Sequence, residues 1–470
     1  MSRILLIKPR FLFPVFLSIT HPMGLMYIAA TLKRAGHESK IHDCGSDIND
    51  LHILRKTITE WKPDYIGISI IITELENTEK IVKMVRETAP EVPVIFGGSW
   101  PSANPEKAIR TFGADFVVLG EGEQVFPELI DAVNNGRPTE SIPGTASRVN
   151  GQVRINPGRF LTEVELNALP FPAWELLDHK LYAKMDSFAV IGRRPYMTIF
   201  TSRGCPFKCA YCHRTMGKVI RNRSVESVLA EMEELRVKHG FREFEIVDDC
   251  FNFDRKRMYA ILTGIRDRFG DVKLHFPNGL RSDMLEPEDM ILFKQAGTVS
   301  AHFAIETSSP RLQKLMHKNL NIQKAAKVIH AAVKAGIYST GFFMLGFPTE
   351  TYEEASSTVE FALYLPLHRA FFFNPIPFPG TQLAEMVSDA SKKNDFNINI
   401  FDANFFTRTT NISAMPDDDL KKVFRRAYRR FYLNPKRIIR LVVHHPQMMS
   451  LPFYAYLFLS RILSRKQSAA

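Results

Sequence analysis

The chain has 470 residues, 45% of them hydrophobic, five cysteines and a formal net charge of +11. That length and apolar content suffice for two or three globular domains, and five cysteines, three of them within eight residues, exclude a disulfide framework and fit a reducing compartment. No apolar run reaches the ~18–20 residues of a spanning helix, and residues 3–7 are too short an apolar run for a signal peptide. Residues 420–470 carry 12 Lys and Arg and no acid, so the remainder sums to about −1 and offers no basic footprint for nucleic acid.

Residues 1–135 alternate short apolar runs with helical segments. Residues 3–7, 37–42, 64–70, 92–96 and 115–119 read as strands, and residues 24–34 as a helix stopped by Gly36. This order predicts a parallel, flavodoxin-like (Rossmann) sheet with helices on both faces, where ligands bind outside the carboxyl ends of the strands. Gly24, Ser69, Gly97, Gly98, Ser99, Gly120, Glu121 and Gly122 cluster at those ends, and glycine lets the backbone approach a bulky ligand closely. Residues 136–190 read as a linker, punctuated by Pro143-Gly144, Asn150-Gly151 and Pro157-Gly158. From 191 to 390, strand and helix signals repeat, with strand ends near Asp249, Phe276, Glu306, Leu345 and Pro375. That repeat predicts a partial (β/α)6 barrel with its chemistry at the carboxyl ends of the strands. Residues 391–470 read as a helical, basic and aromatic region.

Cys205, Cys209 and Cys212 follow the apolar run 196–200 at x3 and x2 spacing. Thiolates are soft ligands for iron–sulfur clusters or zinc, but a closed zinc site takes four ligands. Cys44 and Cys250 supply no second CxxC, and the adjacent Cys212-His213 pair is poor geometry for one ion. The spacing therefore predicts a cubane cluster with three protein ligands and one open iron.

This motif resembles the signature of radical S-adenosylmethionine (SAM) enzymes, and the domain before it resembles the cobalamin-binding domain that precedes many of them. The resemblance implies three cofactors: a [4Fe-4S] cluster, SAM and cobalamin. It implies that Tyr211 packs near the adenine, that Asp248 and Asp249 meet the SAM amino group, and that Glu306 reaches the ribose or the amino group. Gly346 and Pro348 resemble the turn that supports adenine through its backbone, while Arg281 contacts a carboxylate or pairs with Asp283. Cys250 is a candidate thiol donor or an inert core residue. The segment 8–14 lacks the Asp-x-His-x-x-Gly of base-off cobalamin proteins, so the resemblance implies cobalamin without a histidine axial ligand.

The whole chain is similar to hopanoid C-methylases, bacteriochlorophyll-type methylases and anaerobic ring cyclases. This implies methylation of an unactivated carbon on a hydrophobic substrate, with a hopanoid-like lipid favoured and a flavodoxin- or ferredoxin-type electron donor. Ring-forming oxidation without net methyl transfer is the other enzymatic reading, and a cobalamin carrier or sensor the non-enzymatic one. The tail interleaves basic and apolar residues from 420 to 466, which suits an interfacial helix on a membrane surface. The same helices could instead cover the barrel. A cytoplasmic protein, peripheral on the membrane, is the expected location.

Overall fold

The computed structural model describes residues 1–9, 20–45, 50–185, 187, 189, 194–213, 215–391, 411–446, 448, 451, 452 and 456. The loop after the first strand, most of the tail beyond residue 446, and residues 392–410 therefore lie outside the described residues.

The first sheet has seven strands: β1 (Arg3–Lys8), β2 (Glu38–Asp43), β3 (Tyr65–Ser69), β4 (Val94–Gly97), β5 (Phe116–Val118), β6 (Thr145–Val149) and β7 (Gln152–Ile155). Their order is β2-β1-β3-β4-β5-β6-β7, parallel as far as β5. This is the doubly wound order whose switch point lies between β1 and β3. Ile4, Leu5, Leu6 and Ile7 have no exposure at all. Leu5 and Ile7 pack into one helix-covered core, Ile4 and Leu6 into the other, so a continuous apolar run is what this central strand needs. The segment expected as a linker behaves differently: β6 and β7 form a hairpin that extends the sheet antiparallel to β5. Its turn is Asn150-Gly151, at φ +49° and +81°, the two positive values that a tight hairpin turn requires.

Three short strands lead into the second body: β8 (Met197–Ile199), β9 (Ser202–Arg203) and β10 (Arg221–Asn222), with β9 and β10 paired in a small ribbon. The barrel continues through β11 (Glu243–Ile246), β12 (Lys273–Leu280), β13 (Thr298–Glu306), β14 (Tyr338–Met344) and β15 (Arg369–Phe373). β8, β11, β12, β13, β14 and β15 are adjacent in that order and all parallel. Period-2 alternation sends Phe244, Phe303, Phe343 and Phe372 out to the helices and the intervening residues inward. The lower interior is polar: His275 Nδ1 meets Ser300 Oγ at 2.8 Å, and His302 Nδ1 donates to the Pro277 carbonyl at 2.8 Å. Helix Asp417–Tyr432 closes the β15 side, where the Tyr432 hydroxyl donates to the Ala370 carbonyl at 2.9 Å. No helix among the described residues is long and apolar enough to cross a membrane.

A buried knot of charge joins the two bodies. Arg203, at the end of β9, contacts Glu121 at 3.1 Å and Glu123 at 2.6 Å, and Arg221 contacts Glu121 at 2.6 Å. None of the four side chains is more than 8% exposed. Burial pushes the Glu121 carboxyl up, but the Arg221 and Arg203 guanidiniums outweigh it and hold the group below its ordinary value. Beside the knot, His21 meets Thr198 Oγ1 at 2.9 Å and stacks on Tyr182, whose hydroxyl donates to Asp43 at 2.5 Å.

Removing one partner of such a pair strands its counter-charges. Arg203→Ala should therefore cost about 3–5 kcal/mol, measured as a drop in the denaturant midpoint. A second expectation concerns Glu245 on β11, which burial pushes up to about 7 from 4.5 despite bonds to Ser187, Ala189 and Thr198. The raised value means the native state binds the proton more tightly than the unfolded chain. Stability is then fully present below about pH 4.5 and is lost as pH rises toward 7. Glu245→Gln should flatten that segment of the stability–pH curve.

Candidate active site

The cysteine loop starts at Gly204, where φ is +90° and an added Cβ would stand 2.3 Å from the Val219 carbonyl oxygen. Only glycine fits there. The loop is pinned by its own backbone: Cys205 N–H donates to Gly217, Ala210 N–H to Met316, Cys212 N–H to Cys209 and Leu383 N–H to Ala210. Arg281 stacks on Phe207 at 3.7 Å and pairs with Asp283 at 3.1 Å. Of its two expected roles the structure has the pairing, and the guanidinium props the loop from below. Cys205 and Cys209 are half-buried and Cys212 is exposed. Burial, with Asp249 and Cys209 nearby, holds the Cys205 thiol above its ordinary range. A metal that binds such a thiol deprotonates it outright.

Among the described residues, no three His, Cys, Asp or Glu side chains are drawn together as ligands of a single ion. The donor set is three thiols on one short loop, which suits a cubane that offers each thiolate its own iron. Cys250 is buried at 4% exposure, and burial pushes its thiol up to about 12.

Glu306 ends β13 at φ +69°, an uncommon conformation for a residue with a side chain. The Tyr211 hydroxyl donates to Glu306 Oε1 at 3.0 Å, and Lys318 Nζ lies 3.4 Å from the same oxygen. Tyr211 and Glu306, 95 residues apart, are thus brought together beside the cysteines. Lys318, 8% exposed, is the residue that sequence reasoning missed. It sits in a turn between His317 and Asn319, both at positive φ, and no motif marks it.

The two aspartates at the end of β11 part company. Asp248 is buried and consumed: it accepts from Thr201 N–H at 2.6 Å, Thr201 Oγ1 at 2.5 Å and Ser202 Oγ at 2.6 Å. It supports the segment leading to the cysteine loop, and both of its oxygens already accept hydrogen bonds from that segment. Asp249 is exposed beside Cys205 and remains available. The Gly346-Phe347-Pro348 turn is built on Glu350, which accepts from Gly346 N–H at 2.5 Å and Phe347 N–H at 3.2 Å. Burial pushes that carboxyl up to about 8. Only the turn's carbonyls are left for an adenine edge.

At the carboxyl edge of the first sheet, Ser69 and Gly97 are register partners at the ends of β3 and β4. Gly98 crosses the chain at φ +97°, where a Cβ would stand 2.6 Å from the Ile70 carbonyl oxygen. Ser99 opens the short helix Ser99–Ala103, and Ser102 Oγ ties Gly98 O to Gly120 N–H at 2.7 and 2.9 Å. Around Gly24 and Gly120 a Cβ would meet nothing within 4 Å. Glycines and short serines thus leave space along this edge, of the kind a bulky cofactor needs. Two expected members belong elsewhere. Glu121 is spent on Arg203, Arg221 and the Leu161 N–H, and Gly122 is small because Ile28 Cδ1 would stand 3.0 Å from its Cβ.

The family profile described as B12 binding domain matches residues 9–130, and that of the Radical SAM superfamily matches residues 199–362. An uncharacterized methyltransferase, PH0819, of Pyrococcus horikoshii is 31% identical over 432 residues, covering 90% of each chain. Cytidylyl-2-hydroxyethylphosphonate methyltransferase of Streptomyces wedmorensis is 29% identical, covering 77% of each. The anaerobic magnesium-protoporphyrin IX monomethyl ester cyclase of Rubrivivax gelatinosus is 26% identical over 88% of this chain and 74% of its own. Among solved structures, the radical SAM methyltransferase TsrM of Kitasatospora setae, with cobalamin and a [4Fe-4S] cluster bound, superposes with a TM-score of 0.70 at 21% identity. It covers 83% of this chain and 79% of its own. The doubly wound domain, the cysteine-loop barrel and the kinship with PH0819 lead to one conclusion: the chain belongs to the cobalamin-dependent radical SAM enzymes, whose cofactors are a [4Fe-4S] cluster, SAM and cobalamin.

Proposed function

We propose that this enzyme methylates an unactivated carbon of an apolar, ring-containing substrate. The observation that carries the reading is the Arg203 knot, which ties the loop after Gly120 to the residue before Gly204 and so sets the cobalamin edge beside the cysteine loop. When bound, the cluster and SAM supply a hydrogen-abstracting radical and cobalamin supplies the methyl group. The chain's residues do the rest. Cys205, Cys209 and Cys212 hold the cluster, Asp249 and Glu306 accept from the SAM ammonium or ribose, and Tyr211 with Lys318 fixes the Glu306 carboxylate. A flavodoxin- or ferredoxin-type donor supplies the electron.

The barrel lumen supports an apolar substrate. At its upper level the inward residues on β12 and β13 are Gly279 and Ala304, whose Cβ positions lie 3.3 Å apart. Beside them on the same face, β14 and β15 present Phe342, the register partner of Ala304, with Phe371 and Phe373, ring centroids 5.4–6.0 Å apart. Phe342 and Phe373 remain half-buried, although barrels normally fill such layers with bulky side chains. The result is an apolar inner lining in which small residues adjoin an aromatic patch. A hopanoid-like lipid fits this lining, and a tetrapyrrole fits it as a second reading, favoured by the cyclase relative.

The test is anaerobic reconstitution, followed by iron and cobalamin quantitation and an assay for 5′-deoxyadenosine. Product mass separates methylation, which adds a CH2 unit, from ring closure, which does not. Cys205→Ala is expected to abolish both the cluster absorbance and deoxyadenosine release; an intact cluster in that variant would refute the ligand assignment. Ala304→Phe should keep cluster and cobalamin content but cut product at least ~10-fold while deoxyadenosine still forms, because a ring added to this lining takes up lumen space that the substrate needs.

A further inference from the structure

We propose that helix Pro435–His444 seats the protein on an anionic lipid bilayer. The helix is fastened to the barrel along one side. Arg437 is buried, lies 3.6 Å over the Phe431 ring and donates to the carbonyls of Leu367 at 3.0 Å, Leu363 at 3.0 Å and Leu365 at 3.2 Å. Arg440 donates to the Pro366 carbonyl at 2.7 Å, and Asn434 caps the first turn. These bonds fix the helix's rotation. The opposite side then presents Ile438, Ile439, Val442 and Val443, at 45%, 64%, 37% and 66% exposure. Spacing of one and four residues puts them on one face, and Leu433, 50% exposed, lies just before it.

The charge on this helix and the one before it selects the occupant. Arg425, Arg429 and Lys436 are exposed and form no ion pair among the described residues, whereas Arg426 and Arg430 are paired with Glu360 and Lys422 with Asp419. From residue 420 to 470 the sequence holds no acid, and Arg461, Arg465 and Lys466, outside the described residues, continue the same character. Two copies meeting through this face would oppose like charges. Phosphate headgroups complement the cations while the acyl boundary takes the isoleucines and valines. The face is too short to span and suited to lie in the interface.

The experiment is sedimentation of the full-length protein with vesicles of phosphatidylcholine alone or mixed with phosphatidylglycerol. The protein should pellet with the anionic vesicles, and high salt should release it. The double variant Ile439→Glu with Val443→Glu should lose at least ~10-fold in partitioning. Arg425→Ala with Arg429→Ala should weaken binding to the anionic vesicles only, each variant keeping the parent's unfolding midpoint. Equal binding of parent and double variant, or no binding to either vesicle, would overturn the proposal. So would a concentration-dependent dimer in light scattering that the double variant dissolves, which would give the face to a second copy. The readout needs no SAM cleavage, so it stands or falls separately from the catalytic reading.

Discussion

Four buried charges decide how the two bodies of this protein meet. Each of Glu121, Glu123, Arg203 and Arg221 would cost several kcal/mol to bury alone, so all four are tolerated only in mutual contact, with Leu161 and Met216 backbone groups adding further bonds and Arg203 Nε left without one. That requirement is geometric. Glu121 follows Gly120 at the carboxyl edge of the first sheet, and Arg203 precedes Gly204 at the root of the cysteine loop. A shift of either loop relative to the other would separate charges in a low-dielectric setting, where the penalty is largest. The distance between the two cofactor regions is thus enforced by electrostatics, while apolar packing of Met23, Met26 and Tyr27 into the barrel core supplies the adhesion.

A related logic operates at the end of β13. A side chain at φ +69° costs of order 1–3 kcal/mol, and Glu306 keeps that conformation among neighbours that determine it: the Tyr211 hydroxyl, the Lys318 ammonium and the register shift between Ala304 and Glu306. The strand bends where the carboxylate must turn toward the cysteine loop. Both ends of the Tyr211–Glu306 contact are anchored, since the neighbouring Ala210 is bonded to Met316 and Leu383. The loop, the strand end and the helix that starts at Gln382 are therefore tied to one another.

The parallel first sheet, the barrel and the cysteine loop were legible because each rests on local signals: apolar runs alternating with helical segments, strand–helix repeats, and thiols at fixed spacing. What was not legible depends on partners far away in sequence. Asp248 reads as a ligand at a strand end, but Thr201 and Ser202, 47 and 46 residues earlier, donate to both of its oxygens. Glu121 reads as part of a glycine-rich cofactor loop until Arg221, 100 residues on, claims it. Lys318 carries no motif, and its importance comes from where the turn sets it. The β6–β7 hairpin is a different kind of miss. Asn150-Gly151 is a strong hairpin turn, but β7 is an exposed edge with little apolar alternation, so the punctuation outweighed the strands.

The barrel interior also shows how the lumen changes character with height. Near the bottom, burial, with Arg369 nearby, pushes His302 down to about 3 and raises Glu245 to about 7, while Glu243 beside His275 is held at about 2. Above them come Gly279, Ala304 and the three phenylalanines. An apolar substrate entering from the strand ends would meet the phenylalanines with its ring system and leave its reactive edge toward Glu306, Asp249 and the cysteines, where the polar groups are. The lumen thus passes from a buried polar floor through an aromatic layer to a charged rim, and along such a gradient an apolar substrate would be oriented without a specific hydrogen bond.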